Sequence, residues 1–271
     1  MKKLCASIVA MLTAAAVFVA APIGGTAADL PPDDELCGSP VFWGIQRGDS
    51  PDIYQIDLQA GTASFVTDTG RNEAEVDYPN GLAYDDRNTD ELSRIYYAER
   101  TDSTSQLVFY NVVDGVHTPA GNLNGIVAGA TIANGVYYYI PQRSGDLWAA
   151  PLTSEGFIDE ANHVLVKRDV SGQGNRYGFG DMVVFEDTMY ISAGTSTNAE
   201  FFSIDLNGEN YNLIADGLDL FQLALGRNGI LYAHHAGTGM FNAINLNTGE
   251  VTQVGTVEGS ATGTFTDLAS Y

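Results

Sequence analysis

The chain has 271 residues, with 34 acidic against 12 basic side chains and a formal net charge of −22. All 34 acids follow residue 28, against ten remaining bases of which Lys167 is the only lysine, so that part carries −24. Such a surface repels phosphate backbones and anionic headgroups, which excludes nucleic acid and acidic membranes as partners, and it suits a saline habitat as well as an ordinary acidic secreted protein.

Residues 1–28 read as a signal peptide. Lys2 and Lys3 give a basic start, Ile8 to Ala21 is apolar, and small residues at Gly24-Gly-Thr-Ala-Ala28 precede the first acid, Asp29. Cleavage near Ala28 and secretion are expected. The apolar run falls short of the ~20 residues a membrane span needs, so no membrane insertion is expected. Residues 29–40, acidic and proline-bearing, read as an extended leader. Cys37 is the only cysteine beyond the signal, which rules out a disulfide within the mature domain. Stability must come from a core, and roughly 240 residues can bury one as a single domain, 41–271.

From Val41 onward, short aromatic or β-branched runs alternate with Gly, Asn and Asp turns, and no long stretch holds a helical period. One unit recurs: an apolar strand ending in Asp or Asn, then a hydrophobe, then a glycine turn. It appears as Ile53-Tyr-Gln-Ile-Asp-Leu58 before Gly61, Val108-Phe-Tyr-Asn-Val112 before Gly115, Phe202-Ser-Ile-Asp-Leu206 before Gly208, and Phe241-Asn-Ala-Ile-Asn-Leu246 before Gly249. Leu147-Trp-Ala-Ala-Pro-Leu152 is a degenerate copy. An aromatic strand precedes each copy, and the spacing of about 40 to 50 residues is that of a four-stranded propeller blade. The blades are expected at 79–123, 124–170, 177–217 and 220–259. A fifth, composite blade takes three strands from 41–70 and its fourth from Phe265-Thr-Asp-Leu-Ala-Ser-Tyr271. An all-β, five-bladed β-propeller closed by a blade shared between the two ends of the chain leaves no strand edge open there. Runs such as Asn80-Gly-Leu-Ala-Tyr84 and Ile244-Asn-Leu-Asn-Thr-Gly249 resemble those of bacterial secreted β-propeller domains of unknown function. That resemblance implies the fold and secretion and brings no catalytic residues with it.

In such a ring the loops between second and third strands share a face with the entries to the innermost strands. Three of them repeat Gln/Glu-Arg: Gln46-Arg47, Glu99-Arg100 and Gln142-Arg143; the last blade has His234-His235 there. Planar guanidinium forks can cup an acidic or polyhydroxylated ligand. Each arginine can equally pair with an acid of its own loop, Asp49, Asp102 or Asp146, and only hold the loop in shape. Tyr177 and Gln222 belong to the segments feeding the same face.

Asp181 and Asp267 occupy matching starts of innermost strands, with Gln222 a third polar member and Gly81 and Gly129 in the other two blades. With Glu99 from a loop they would be the carboxylates of a glycan-directed hydrolase or lyase, which needs a spaced acid and base. An aspartate at a strand start otherwise bonds backbone amides of the next blade. No His/Cys set has metal-ligand spacing, because neighbours on a strand point to opposite faces, and no cofactor is implied. The sequence thus points to a secreted, monomeric, non-catalytic binding module. Its expected partner is a glycan, a small polar ligand or an extracellular protein, with hydrolysis or lysis the alternative.

Overall fold

The computed structural model describes residues 41–46, 51–69, 79–85, 87, 93–172, 178–195, 198–219, 221–226, 228–259 and 265–270. Residues 1–40, read from the sequence as signal peptide and leader, lie outside them. All the regular structure described is strand, in five four-stranded antiparallel sheets.

The first blade is the composite one. From the centre outward it runs β20 (Asp267–Ala269), β1 (Val41–Gln46), β2 (Asp52–Asp57) and β3 (Thr62–Asp68). The second holds β4 (Asn80–Tyr84), β5 (Arg94–Arg100), β6 (Ser105–Asn111) and β7 (Val116–Leu123). The third holds β8 (Val127–Ala133), β9 (Val136–Pro141), β10 (Leu147–Pro151) and β11 (Val164–Lys167). The fourth holds β12 (Gly178–Phe185), β13 (Thr188–Thr195), β14 (Asn198–Asp205) and β15 (Asn212–Leu218). The fifth holds β16 (Gln222–Leu225), β17 (Leu231–His235), β18 (Met240–Ile244) and β19 (Val251–Gly255). This is the expected five-bladed β-propeller, and β20 closes it by pairing with β1 through Trp43↔Ala269, Gly44↔Leu268 and Ile45↔Asp267.

Burial follows radial position. Every residue of β1 and β8 is buried, while β15 and β19 keep no buried residue. A sheet covered on both faces needs continuous apolar runs rather than alternation, which is why the second strands read so aromatic. The core is accordingly five slabs, one between each pair of neighbouring blades. Between the first and fifth, for instance, Phe42, Ile56 and Phe265 meet Tyr232 and Phe241. Between the second and third, Tyr96, Leu107 and Phe109 meet Tyr137, Tyr139 and Ile158.

The recurrent Asp/Asn is a cap for the turn between third and fourth strands. Asp57 Oδ1 accepts N–H bonds from Gln59 and Ala60, both 2.9 Å, and Asp205 Oδ1 does so from Asn207 and Glu209, both 2.9 Å. Asn245 Oδ1 does likewise for Asn247 and Thr248. The closing glycine takes a positive φ, 68° at Gly61 and at Gly249, where a Cβ would be strained.

The third blade lacks this cap for a reason. Its loop leaves the blade so that Ile158 N–H bonds Ala120 O at 2.9 Å, on β7 of the neighbouring blade. Glu258 covers the outer edge of β3 in the same way, through Ala63 N to Glu258 O at 2.7 Å and Glu258 N to Gly61 O at 3.0 Å.

Candidate functional site

Two places gather the polar residues singled out by the sequence: the centre of the ring and the face bearing the loops between second and third strands.

At the centre, the matched positions on the five innermost strands are Gly81, Gly129, Asp181, Gln222 and Asp267. The two aspartates are fully enclosed, 2% and 0% exposed. Asp181 accepts from Met182 N at 2.7 Å with one oxygen and from Leu223 N of the next blade at 2.9 Å with the other. Asp267 repeats the arrangement with Leu268 N at 3.0 Å and Leu82 N at 2.7 Å. The two carboxyls also lie within hydrogen-bonding reach of each other. Burial, and then the charge of Asp267, hold Asp181 well above the usual carboxylate range; burial raises Asp267 as well, to about 7.

The third blade is joined there without carboxylates. Asn80 Nδ2 donates to Ala128 O at 2.6 Å, and Tyr137 Oη donates to Gly81 O at 2.7 Å. Gly129 lets β8 lie against β12: a Cβ there would stand 3.0 Å from Asp181 Cα and 3.2 Å from Gly180 O.

This geometry does not supply the pair a hydrolase needs. A glycosidic bond must fit between carboxyls roughly 5 to 9.5 Å apart, whereas these two are in mutual contact and sealed from solvent. Glu99, the third carboxylate, is buried on β5. The expectation that a strand-start aspartate bonds the next blade's amides describes both residues.

On the loop face the expected residues separate by depth. Gln46 is buried at the end of β1, and Arg47 and Tyr177 lie outside the described residues. His234 is buried, not presented to the loop face. Its Nε2 accepts from Phe265 N at 2.9 Å, and its ring lies 4.4 Å from that of Phe241. The next residue, His235, points the other way as strand geometry requires, half-buried, with Nδ1 3.1 Å from Thr238 Oγ1. Gln222 is half-buried beside Asp181's partner amide, its Oε1 enclosed and without a hydrogen-bond partner. Arg100 is half-buried at the end of β5, while Gln142 and Arg143 are exposed on the loop after β9.

Arg143 differs from a loop brace. Its φ is +61°, in the left-handed region, and among the described residues the five other non-glycine residues with positive φ are all Asn, Asp or Glu. The acid of its own loop, Asp146, is engaged elsewhere: it accepts from Asp169 N at 3.1 Å and faces Arg168 at 4.0 Å. Among the described residues, the Arg143 side chain has no hydrogen-bond or ion-pair partner.

Sequence reasoning missed two side-chain networks. Tyr97 Oη meets His117 Nδ1 at 2.9 Å while His117 Nε2 meets Thr67 Oγ1 of the first blade at 3.1 Å. Tyr139 Oη meets His163 Nε2 at 2.8 Å in the third blade. The signal was a tyrosine on the second strand and a histidine toward the outer strand of the same blade, in two consecutive repeats. Burial lowers the pKa of both histidines. Among the described residues no group of three His, Cys, Asp or Glu is placed to hold a metal ion.

Together the fold and its loop-bearing face define a five-bladed β-propeller. No family model matches the chain, and no curated protein does. Solved structures do. One, from a nidogen/laminin complex, is similar at 12% identity and a TM-score of 0.54, covering 85% of this chain and 97% of that one. TolB from Acinetobacter baumannii is similar at 12% identity and a TM-score of 0.52, covering 85% of this chain and 54% of its own. At these identities the likeness is one of fold.

Proposed function

We propose that this propeller is a secreted, non-catalytic binding module that meets a glycan through the face bearing the loops between second and third strands. The observation that carries the reading is Arg143. An unpartnered guanidinium on an exposed loop, held in a backbone conformation that costs energy, points to a role outside the loop itself. Arg100 and His235 end strands on the same face, and in the sequence Arg47 follows β1 and Tyr177 precedes β12. A fork of planar donors suits carboxylate or vicinal hydroxyl groups on a sugar. Recognition must be local, because the chain's net charge of −22 repels an anionic ligand at a distance. The similar structures from a nidogen/laminin complex and of TolB come from proteins with different settings, so the ligand class rests on these residues alone.

A glycan array probed with the mature chain tests the reading. Specific binding that is lost in Arg47→Ala/Arg100→Ala/Arg143→Ala, with the fold retained, supports it. Binding that survives the triple change would remove this face from the proposal, and small polar ligands or an extracellular protein become the next classes to screen. Intact-mass analysis of the exported protein tests secretion: a mature N-terminus close to Asp29 is expected.

A further inference from the structure

Four backbone N–H groups of the innermost strands, those of Leu82, Met182, Leu223 and Leu268, point at two carboxyls. Each carboxyl spans a blade junction, Asp267 from the first blade to the second and Asp181 from the fourth to the fifth, and the two side chains meet across the middle. Two ionised carboxylates in contact and away from water repel strongly, since neither solvent nor salt screens them. The four N–H groups stabilise negative charge, one amide to each oxygen, but their partial dipoles do not cancel the repulsion of two full charges in contact. Something positive must be shared by the pair. We propose that this is a proton: Asp181 and Asp267 form a proton-sharing lock that ties four of the five blades at the centre of the ring and loosens when alkaline pH removes the proton.

The surroundings fit this assignment. From β9, Tyr137 faces the pair, its phenol engaged with Gly81 O and its ionisation strongly disfavoured by burial and by the two acids. From β17, His234 is neutral and engaged with Phe265 N, two residues before Asp267. From β5, Glu99 lies next to Ala98, the partner of Asn80. β4, β8 and β16 bring no charged side chain, their polar ones being Asn80, Tyr84, Thr131 and Gln222. Among the described residues no lysine or arginine is placed to neutralise the pair, so a proton is the simplest source of the missing charge.

The sign of the effect follows. Groups whose folded pKa is raised contribute stability that is fully present below the unfolded aspartate value of ~3.9 and is lost as pH rises through the folded value. Exposed carboxylates are already ionised above pH ~6, and beyond that point the Asn variants separate the pair's contribution from that of histidines and the α-amine.

Three measurements on the full mature chain test the lock. Infrared spectra of the wild type at neutral pH should show the C=O stretch of a buried protonated carboxyl, and alkaline titration should remove it. The wild-type Tm should fall from pH ~6 to ~9, and that fall should shrink by at least half in Asp267→Asn and in Asp181→Asn, because an amide presents the protonated partner at every pH. Should both variants fail to fold, the wild-type infrared titration decides. The proposal is overturned if the protonated band is absent at neutral pH. It is equally overturned if the purified protein carries stoichiometric metal whose chelation lowers the Tm, since the bridging charge would then be a cation.

Discussion

A ring nitrogen that accepts a backbone N–H cannot also carry a proton. His234 is in that position: Nε2 holds the amide of Phe265, and burial, with a smaller push from His235, lowers its pKa to about 4. A depressed histidine pKa contributes stability above the unfolded value of ~6.5, lost as pH falls from there toward the folded one. His234→Gln keeps an acceptor and removes the titration. The expected outcome is a loss of about 1–3 kcal/mol at neutral pH and a shallower decline of stability between pH ~6.5 and ~4, read by urea denaturation across that range. Gly129 makes a different point at the same scale. Alanine there must push β8 from β12, at a cost of about 1–3 kcal/mol by the same measurement; an unchanged midpoint would mean the two strands can separate without penalty.

At the level of the element, the Tyr–His pairs fasten an outer strand to an inner one. In Tyr97–His117–Thr67 the link continues into the first blade, and the neutral ring passes hydrogen bonds along it: Thr67 donates to Asp68 O and so accepts from Nε2–H, leaving Nδ1 to accept from Tyr97. Tyr97→Phe orphans that nitrogen, and a loss of about 1–3 kcal/mol is expected in urea denaturation; a neutral result would show that water replaces the phenol. These elements also show what a sequence can carry. The turn between third and fourth strands is local, so Asp57, Asn111, Asp205 and Asn245 mark it in one dimension, and with the degenerate copy of the third blade they yield the blade count. The third blade lost the mark because its loop serves β7 instead, a contact between residues far apart in the chain. For the same reason the centre was half legible. The positions of Asp181 and Asp267 followed from the repeat, but their contact with each other depends on how five innermost strands converge. Arg143's freedom from Asp146 depends on Arg168 and Asp169, which belong to a different stretch.

For the molecule as a whole, the pieces that close the ring are small. β20 has three residues, yet it pairs with β1, supplies Asp267 and puts Leu268 and Ala269 into two different slabs of the core. Removing residues 265–271 should therefore abolish cooperative unfolding rather than trim it, and expose the β1 edge to association. Thermal melts with light scattering check this; a monomer that melts as the full chain does would show that the other blades hold the ring unaided.

The shared blade also imposes an order of events. Its partners β1, β2 and β3 emerge first from the ribosome, and sixteen strands follow before β20 appears. Until then the first sheet has no innermost strand, and the strand edges and apolar faces meant for β20 stay unpaired for nearly the whole of synthesis. The long-range closure makes the last step of folding a search between distant segments, slow by its topology. A chain handed across a membrane unfolded would avoid that wait in the cell interior, because both halves of the blade could then arrive before either needed to fold. Delivery in an extended state would make the clasp an advantage, since nothing could close around an incomplete chain.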